Sequence, residues 1–168
     1  QSHFSGIESG STACLCLQIK DKFYLINLGD SRAVLFSMDN KKFKILAKTK
    51  DHKPDDLKEY KRIIKSGGRV EIEEGDVARV DGNLAMSRAF GDFELKYHSG
   101  KGFKGPVSVK PDVKLVKTKG KKQLGIILAS DGLWDIFSEK KVLQFFIDHG
   151  YQNFCQEIVK ESLIGGST

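Results

Sequence analysis

The 168-residue sequence predicts an α+β fold in which β-strands pack as a sandwich with helices against them. Three observations carry this expectation. Apolar runs of strand length crowd the first half of the chain, and the helical spacings group late. Nothing alternates strand with helix in the way that builds a parallel sheet.

Residues 13–19 alternate apolar side chains with Cys and Gln, which places Cys14 and Cys16 on one face of a strand. Residues 23–28 and 33–36 are apolar runs separated by Gly29-Asp30-Ser31, which reads as the turn of a β-hairpin. Residues 43–47 form a further strand, ended by the polar stretch 48–54. After Pro54 a helix is expected, with Asp56 as its cap and Glu59 completing a capping box. Leu57, Tyr60, Ile63 and Ile64 recur there at helical spacing, and Gly67-Gly68 stop the helix. Short strands at 70–72 and 77–80 flank an acidic turn, and 92–109 reads as a loop. Inside that loop "GKGFKG", 100–105, has the G-x-G-x-x-G spacing. It has no helix after it, so it reads as a plain glycine loop. Strands resume at 113–116 and 124–129. Ser138 caps a helix that sets Val142, Phe145, Phe146 and His149 on one face before Gly150, and 153–163 forms a last helix with Phe154, Ile158 and Leu163 inward.

The length suits a single domain over 1–168. No apolar run approaches the roughly 18 residues of a membrane span. The chain opens at Gln1 with neither methionine nor a signal-peptide pattern, as a fragment or trimmed chain would. Cys14, Cys16 and Cys155 make no disulfide framework and suit a reducing compartment, so an intracellular, cytoplasmic or nuclear location is expected. His3, His52, His98 and His149 fall at no zinc-ligand spacing. The net charge of +6 gathers partly in Lys110, Lys114, Lys117, Lys119, Lys121 and Lys122. No aromatic residue interleaves with these lysines as a base-stacking platform requires. They read as a solvated strand edge, and no nucleic-acid partner is expected.

Several acids share one setting: each follows an apolar run and stands beside glycine. Asp30 lies in "NLGDSRAVL", Asp131 and Asp135 in "LASDGLWD"; Asp81 and Asp92 are less sharply placed. Converging carboxylates repel one another unless protonated or bridged by a cation. Oxygen donors favour hard ions such as Mg²⁺ or Mn²⁺. Ordinary turn chemistry accounts for Asp30 taken alone. It accounts less well for the pair Asp131 and Asp135, which flanks Trp134 and an apolar strand. There is no G-x-S-x-G, no Walker A sequence and no kinase D-F-G. "ESGSTA", 8–13, reads as a small-residue turn. A metal-assisted reaction with water as nucleophile is the chemistry left standing.

As an ordered set, "ESGSTA" (8–13), "NLGDSRAVL" (27–35), "DHKP" (51–54), "RIIKSGGRV" (62–70), "RVDGNLAMSRAFGD" (79–92), "KPDV" (110–113) and "ILASDGLWDIFS" (127–138) resembles the metal-dependent protein phosphatases, the type 2C serine/threonine phosphatases. The resemblance implies two antiparallel β-sheets packed as a sandwich and flanked by helices in α-β-β-α layers. Here that arrangement is expected to be incomplete at the N-terminus and the C-terminus, with sheet edges left unpaired. It implies two core Mg²⁺ or Mn²⁺ ions, a possible third, and phosphoserine or phosphothreonine proteins as substrates. By motif, Asp131 matches a core metal ligand, and Asp135 and Asp30 match acids of the third site. Residues 55–110 include the region of the family's flap, whose Lys101 and Lys104 would meet acidic or phosphorylated partners. The family's D-G-H-G-G stretch, with its general-acid histidine, and its late Asp-Asn are absent from these 168 residues. The catalytic set is thus expected outside them, leaving the fragment alone inactive. The alternative is a pseudophosphatase or phosphoprotein-binding module with the same fold. Retention of Asp30, Asp131 and Asp135 together speaks for the enzyme.

Overall fold

The computed structural model describes residues 9–97, 102, 104–120 and 123–167. In chain order these form β1 (Gly10–Ser11), β2 (Ala13–Ile19), β3 (Lys22–Leu28), β4 (Arg32–Asp39), β5 (Lys42–Lys48), α1 (Leu57–Ser66), β6 (Val70–Glu71), β7 (Arg79–Val80), β8 (Phe90–Gly91), a 3₁₀ turn at Phe93–Leu95, β9 (Asp112–Lys117), β10 (Leu124–Ala129), α2 (Asp131–Trp134) and α3 (Glu139–Ile164). The chain divides into two compact units. The first holds Gln1–Ala13, Ile26–Asp30 and Lys50–Asp112; the second holds Cys14–Leu25, Ser31–Thr49 and Val113–Thr168.

In the second unit β4 lies between β10 and β5, antiparallel to both, and a separate sheet runs β2-β3-β9. Side chains alternate across β4, so it feeds two cores. Ala33 and Leu35 join Phe23, Leu25 and Ala47 in a core against which Cys14, Cys16, Val116 and Ile126 pack. Val34 faces the other way and joins Trp134, Val142, Phe154 and Ile158 under α3. The layers are therefore helix, sheet and sheet, an α+β sandwich as expected. The outer face of β2-β3-β9 carries Leu15, Leu17 and Ile19 at 52, 51 and 50% exposure.

One connection differs from the sequence expectation. Residues 29–31 do not close a hairpin, because β3 and β4 belong to different sheets. The two-residue links lie at Lys20-Asp21 and at Asn40-Lys41. Asn40 (φ 46°) and Lys41 (φ 60°) both adopt the left-handed backbone that a type I′ turn needs. Gly-Asp-Ser and Asn-Lys are both polar turn chemistry. Which of them folds a strand back on its neighbour is settled by sheet packing.

The first unit is built on α1. Asp56 caps it by accepting the Lys58 N–H (3.2 Å), and Gly67 ends it at φ 93°. Glu59 does not complete a capping box; it turns inward to arginine, described below. Of the four apolar residues at helical spacing only Ile63 is buried. It packs with Val80, Ala89 and Val107, while Leu57, Tyr60 and Ile64 are exposed. The expected strands at 70–72 and 77–80 shorten to the two-residue pair β6-β7.

Ser138 caps α3 through the Lys141 N–H (3.4 Å). Gly150 (φ 71°, ψ 169°) breaks α3 where the sequence places the end of one helix and the start of the next. Phe154 and Ile158 are buried as expected, but Leu163 is exposed and Ser162 takes the inner position. The loop at 92–109 contains the 3₁₀ turn. Residues 98–101 and 103 lie outside the described residues, so half of "GKGFKG", with Lys101, does too; Lys104 is exposed.

Leu35→Ala should lower unfolding stability by about 2–5 kcal/mol, the usual cost of truncating a closed core. Leu17→Ala should change it by less than about 0.5 kcal/mol. Urea denaturation of both variants checks the assignment of inner and outer faces.

Candidate functional site

In the second unit the site begins where β10 runs out. Its last residue, Ala129, pairs with Arg32 of β4, which fixes the strand end in the sheet. Ser130 is extended, and Asp131 opens the single turn α2. Trp134 holds this turn down. It is buried, its indole Nε1–H donates to the carbonyls of Ala129 (3.0 Å) and Arg32 (3.2 Å), and the Arg32 guanidinium lies over its ring at 5.4 Å. Arg32 in turn pairs with Glu139 at the start of α3 (2.7 Å). The tryptophan thus ties strand, turn and long helix together and gives Asp131 a rigid base.

The Asp131 Oδ1 accepts the Gly132 N–H (2.9 Å), and the Asp135 N–H donates to the Asp131 carbonyl (2.8 Å). With that helical bond closed, residues four apart share one face, so both carboxylates belong to the same side of the turn. Asp131 is half-buried and Asp135 exposed. An open groove of about 370 Å³ runs alongside, lined by Leu128, Ser130, Asp131, Phe154 and Ile158 among others.

In the first unit Asp30 is buried at the end of β3, and its carboxylate pairs with Lys53 (2.8 Å). The turn that carries it is clamped by the segment 50–53. The His52 Nδ1 accepts the Gly29 N–H (3.0 Å), the Gly29 carbonyl accepts the His52 N–H (3.0 Å), and Asn27 Nδ2 donates to the Gly29 carbonyl (2.9 Å) and to that of Lys50 (3.1 Å). Gly29 is required here. Its φ is 103°, and a Cβ would fall 2.4 Å from the Thr12 methyl.

Beneath the clamp lies a buried ionic network. Arg88 binds Glu59 through two nitrogens, and it also reaches the Lys110 carbonyl (2.9 Å) and Asp112 (2.9 Å). Arg62 and the Ser87 hydroxyl donate to the same Glu59. Burial works to raise the Glu59 carboxyl, but the hydrogen bonds from Arg88 and Ser87 and the charges of Arg88 and Arg62 outweigh it and hold it at about 2. Burial, reinforced by the Arg88 charge, pushes the His52 imidazole down; the Asp112 carboxylate, 3.5 Å from Nε2, opposes this without reversing it. Neutral His52 keeps the lone pair that accepts the Gly29 N–H.

The structure thus places Asp30 in one unit and Asp131 with Asp135 in the other. Among the described residues no three His, Cys, Asp or Glu side chains form a group suited to a metal ion. Asp81 and Asp92 serve turns: the Asp81 Oδ1 accepts the Arg69 N–H (2.6 Å), and Asp92 precedes the 3₁₀ turn. In donor chemistry Asp30, Asp131 and Asp135 fit a hard divalent cation, since all offer carboxylate oxygens, and Asp30 already holds a cationic group. Local sequence patterns give His52, Arg62 and Arg88 no role and read Glu59 only as a capping residue. The signal that touches the first three is their place in the blocks "DHKP", "RIIKSGGRV" and "MSRAFGD".

A model of the protein phosphatase 2C family matches residues 1–168. Protein phosphatase 1B of Bos taurus is 37% identical over 165 residues, covering 95% of this chain and 32% of its own length. Protein phosphatase 1A of Homo sapiens is 38% identical, covering 95% of this chain and 41% of its own. A crystal structure of serine-threonine phosphatase 2C from Toxoplasma gondii superposes with a TM-score of 0.73 at 26% identity, covering 94% of this chain and 54% of that one. The chain thus spans about a third to two fifths of these two curated relatives.

Between folded and unfolded chains the Glu59 carboxyl drops from 4.5 to about 2, so the unfolded chain binds the extra proton in that window. Its stabilising contribution is complete above pH 4.5 and lost as pH falls toward 2. Depressed His52 acts in the same direction below its ordinary 6.5. Urea midpoints should therefore stay level above about pH 7 and fall steadily on acidification. Arg88→Met should cost about 3–5 kcal/mol at neutral pH by stranding Glu59, and should flatten the acid limb.

Proposed function

Since this chain belongs to the protein phosphatase 2C family, we propose that the protein containing it is a metal-dependent phosphatase acting on phosphoserine and phosphothreonine in proteins. The observation that carries the proposal is the family match along the whole chain; by its motif Asp131 is assigned here as a metal ligand, and it stands beyond a strand end braced by Trp134. Mg²⁺ or Mn²⁺, when bound, supplies Lewis acidity and a water nucleophilic at neutral pH. The chain's own part is to present carboxylates. Asp131 would hold a core ion, and Asp135 and Asp30 are each assigned, by motif alone, as accessory ligands. Trp134 keeps the Asp131 turn from swinging, and His52 with Asn27 does the same for Asp30. The 168 residues alone are inactive on this reading, since the general-acid histidine motif is not among them. Residues 55–110 are assigned as including the flap region, and the three cysteines, none of them in a disulfide, support an intracellular location. No helix of the described residues is long and apolar enough to cross a membrane.

A second reading, a phosphoprotein-binding module without catalysis, draws on one observation: the Asp30 charge is already met by Lys53. Turnover separates the two. The parent protein should hydrolyse a phosphothreonine peptide only with Mn²⁺ or Mg²⁺, and Asp131→Asn should lower kcat by more than about 100-fold, beyond the cost of losing an outer-shell partner. Activity that survives a chelator sinks the metal reading. Phosphopeptide binding without turnover in the metal-loaded parent favours the module.

A further inference from the structure

The apolar residues of α1 that miss the core are not scattered. Leu57, Tyr60 and Ile64 repeat as a buried helical face would, yet they stand 66, 44 and 46% exposed. At spacings i, i+3 and i+7 they form one row along the helix, about two turns or about 10 Å long. Lys58, Lys61 and Lys65 repeat the same spacing one position on, so a row of exposed ammonium groups runs beside the apolar row. It runs on one flank only, since the other flank passes to Ile63, which is buried. The inner side of α1 cannot roll outward. Glu59 is held by Arg62, Arg88 and Ser87, and Ile63 is closed in with Val80, Ala89 and Val107. Glu59 is also the one acid of α1, so the helix leaves its lysine row unanswered. Among the described residues no carboxylate forms an ion pair with Lys58, Lys61 or Lys65. Exposed apolar side chains set singly need no explanation, whereas a contiguous row rimmed by charge marks an interaction surface.

We propose that this face of α1 is a docking ridge for an acidic amphipathic helix of a partner protein. Apolar residues of the partner pack along Leu57, Tyr60 and Ile64, and a row of Asp or Glu on its flank meets Lys58, Lys61 and Lys65. Apolar rows at this spacing pack as a seam between two helices, and the charges beside the seam select the partner. Tyr60, in the middle of the row, offers a large apolar ring and a hydroxyl that stays wet, as interface aromatics do. A second copy of this chain cannot answer the lysine row from the same face, because the exposed residues of α1 include no acid. A lipid surface is the weaker reading. Its hold grows with apolar area, and α1 offers three apolar side chains with lysines on a single flank. The proposal concerns recruitment, and it stands whether or not the protein containing this chain turns over phosphoserine or phosphothreonine.

The test measures binding of a fluorescein-labelled peptide to the full chain by fluorescence anisotropy. The probe is a helical peptide of about three heptads with leucine at a and d and glutamate at e and g, which also keeps it from pairing with itself. The control peptide carries lysine at e and g. The unaltered chain should bind the glutamate peptide at least about tenfold tighter than the lysine peptide. Tyr60→Ala combined with Ile64→Ala should weaken the glutamate peptide about tenfold or more, the scale of losing an aromatic anchor. Lys58→Glu, Lys61→Glu and Lys65→Glu together should reverse the preference, so that the lysine peptide binds the tighter. All these positions are exposed, so the urea midpoints of the variants should match that of the unaltered chain. If the triple reversal folds poorly, Lys61→Gln with Lys65→Gln should still shrink the preference for glutamate. Equal binding of the two peptides, binding of neither, or a preference that neither set of lysine substitutions moves overturns the proposal. Association with vesicles of phosphatidylcholine and phosphatidylserine that Tyr60→Ala with Ile64→Ala abolishes, without peptide binding, makes the face a lipid contact instead. Self-association abolished by the same pair in sedimentation, again without peptide binding, makes it a contact between copies.

Discussion

Strand β4 is the constraint on which the second unit depends. Its residues 33–36 are buried on both faces, and it is the one strand paired on each side within its sheet. Ala33 and Leu35 look into the core between the sheets, and Val34 into the core under α3. A strand in that position has no solvent face to absorb a change, because its neighbours are packed as densely as a crystal. Its antiparallel partner β10 is therefore held in register along its whole length, and Asp131 inherits a fixed position from the strand that precedes it.

Tryptophan completes that transfer. An apolar strand can end anywhere, and a carboxylate beyond its end gains nothing from the sheet unless the turn is braced. Trp134 does so by capping the carbonyls of Ala129 and Arg32 with one N–H and by lending its ring to the Arg32 guanidinium. The first unit reaches the same end by a polar route. There a network of Arg62, Arg88, Glu59, Ser87 and His52, fully buried at its centre, fixes the turn of Asp30. At the centre of the network Glu59 takes charge-assisted donors on both oxygens, which fixes its geometry. Both devices suit the cation-binding role proposed for these acids, because a ligand that has to be ordered on binding weakens the complex.

Much of this was legible locally. The caps Asp56 and Ser138, the break at Gly150, the shared face of Cys14 and Cys16, and the strand that ends in Asp131 all depend on residues within a turn or two of one another. Other readings failed where local chemistry was compatible with two outcomes. Gly29-Asp30-Ser31 has the residues of a hairpin turn, yet it links strands of different sheets. Glu59 sits three residues after a cap, as a capping box wants, yet arginines from other segments draw it inward. Leu57, Tyr60 and Ile64 have the spacing of a buried helical face, yet only Ile63 reaches the core.

By itself, then, the sequence determined where the longer strands and helices start and stop and which acids follow strand ends, because backbone preferences and apolar periodicity act over a few residues. The blocks from "ESGSTA" to "ILASDGLWDIFS" also determined the family. The tertiary structure alone decided which segments pair, that Trp134 braces Asp131, and that Lys53 and His52 attend Asp30. The Lys53–Asp30 and Gly29–His52 bonds each join residues 23 positions apart and the Trp134–Arg32 bond residues 102 apart, and no local rule ranks one distant partner above another. Packing and the need to neutralise each buried charge make that choice.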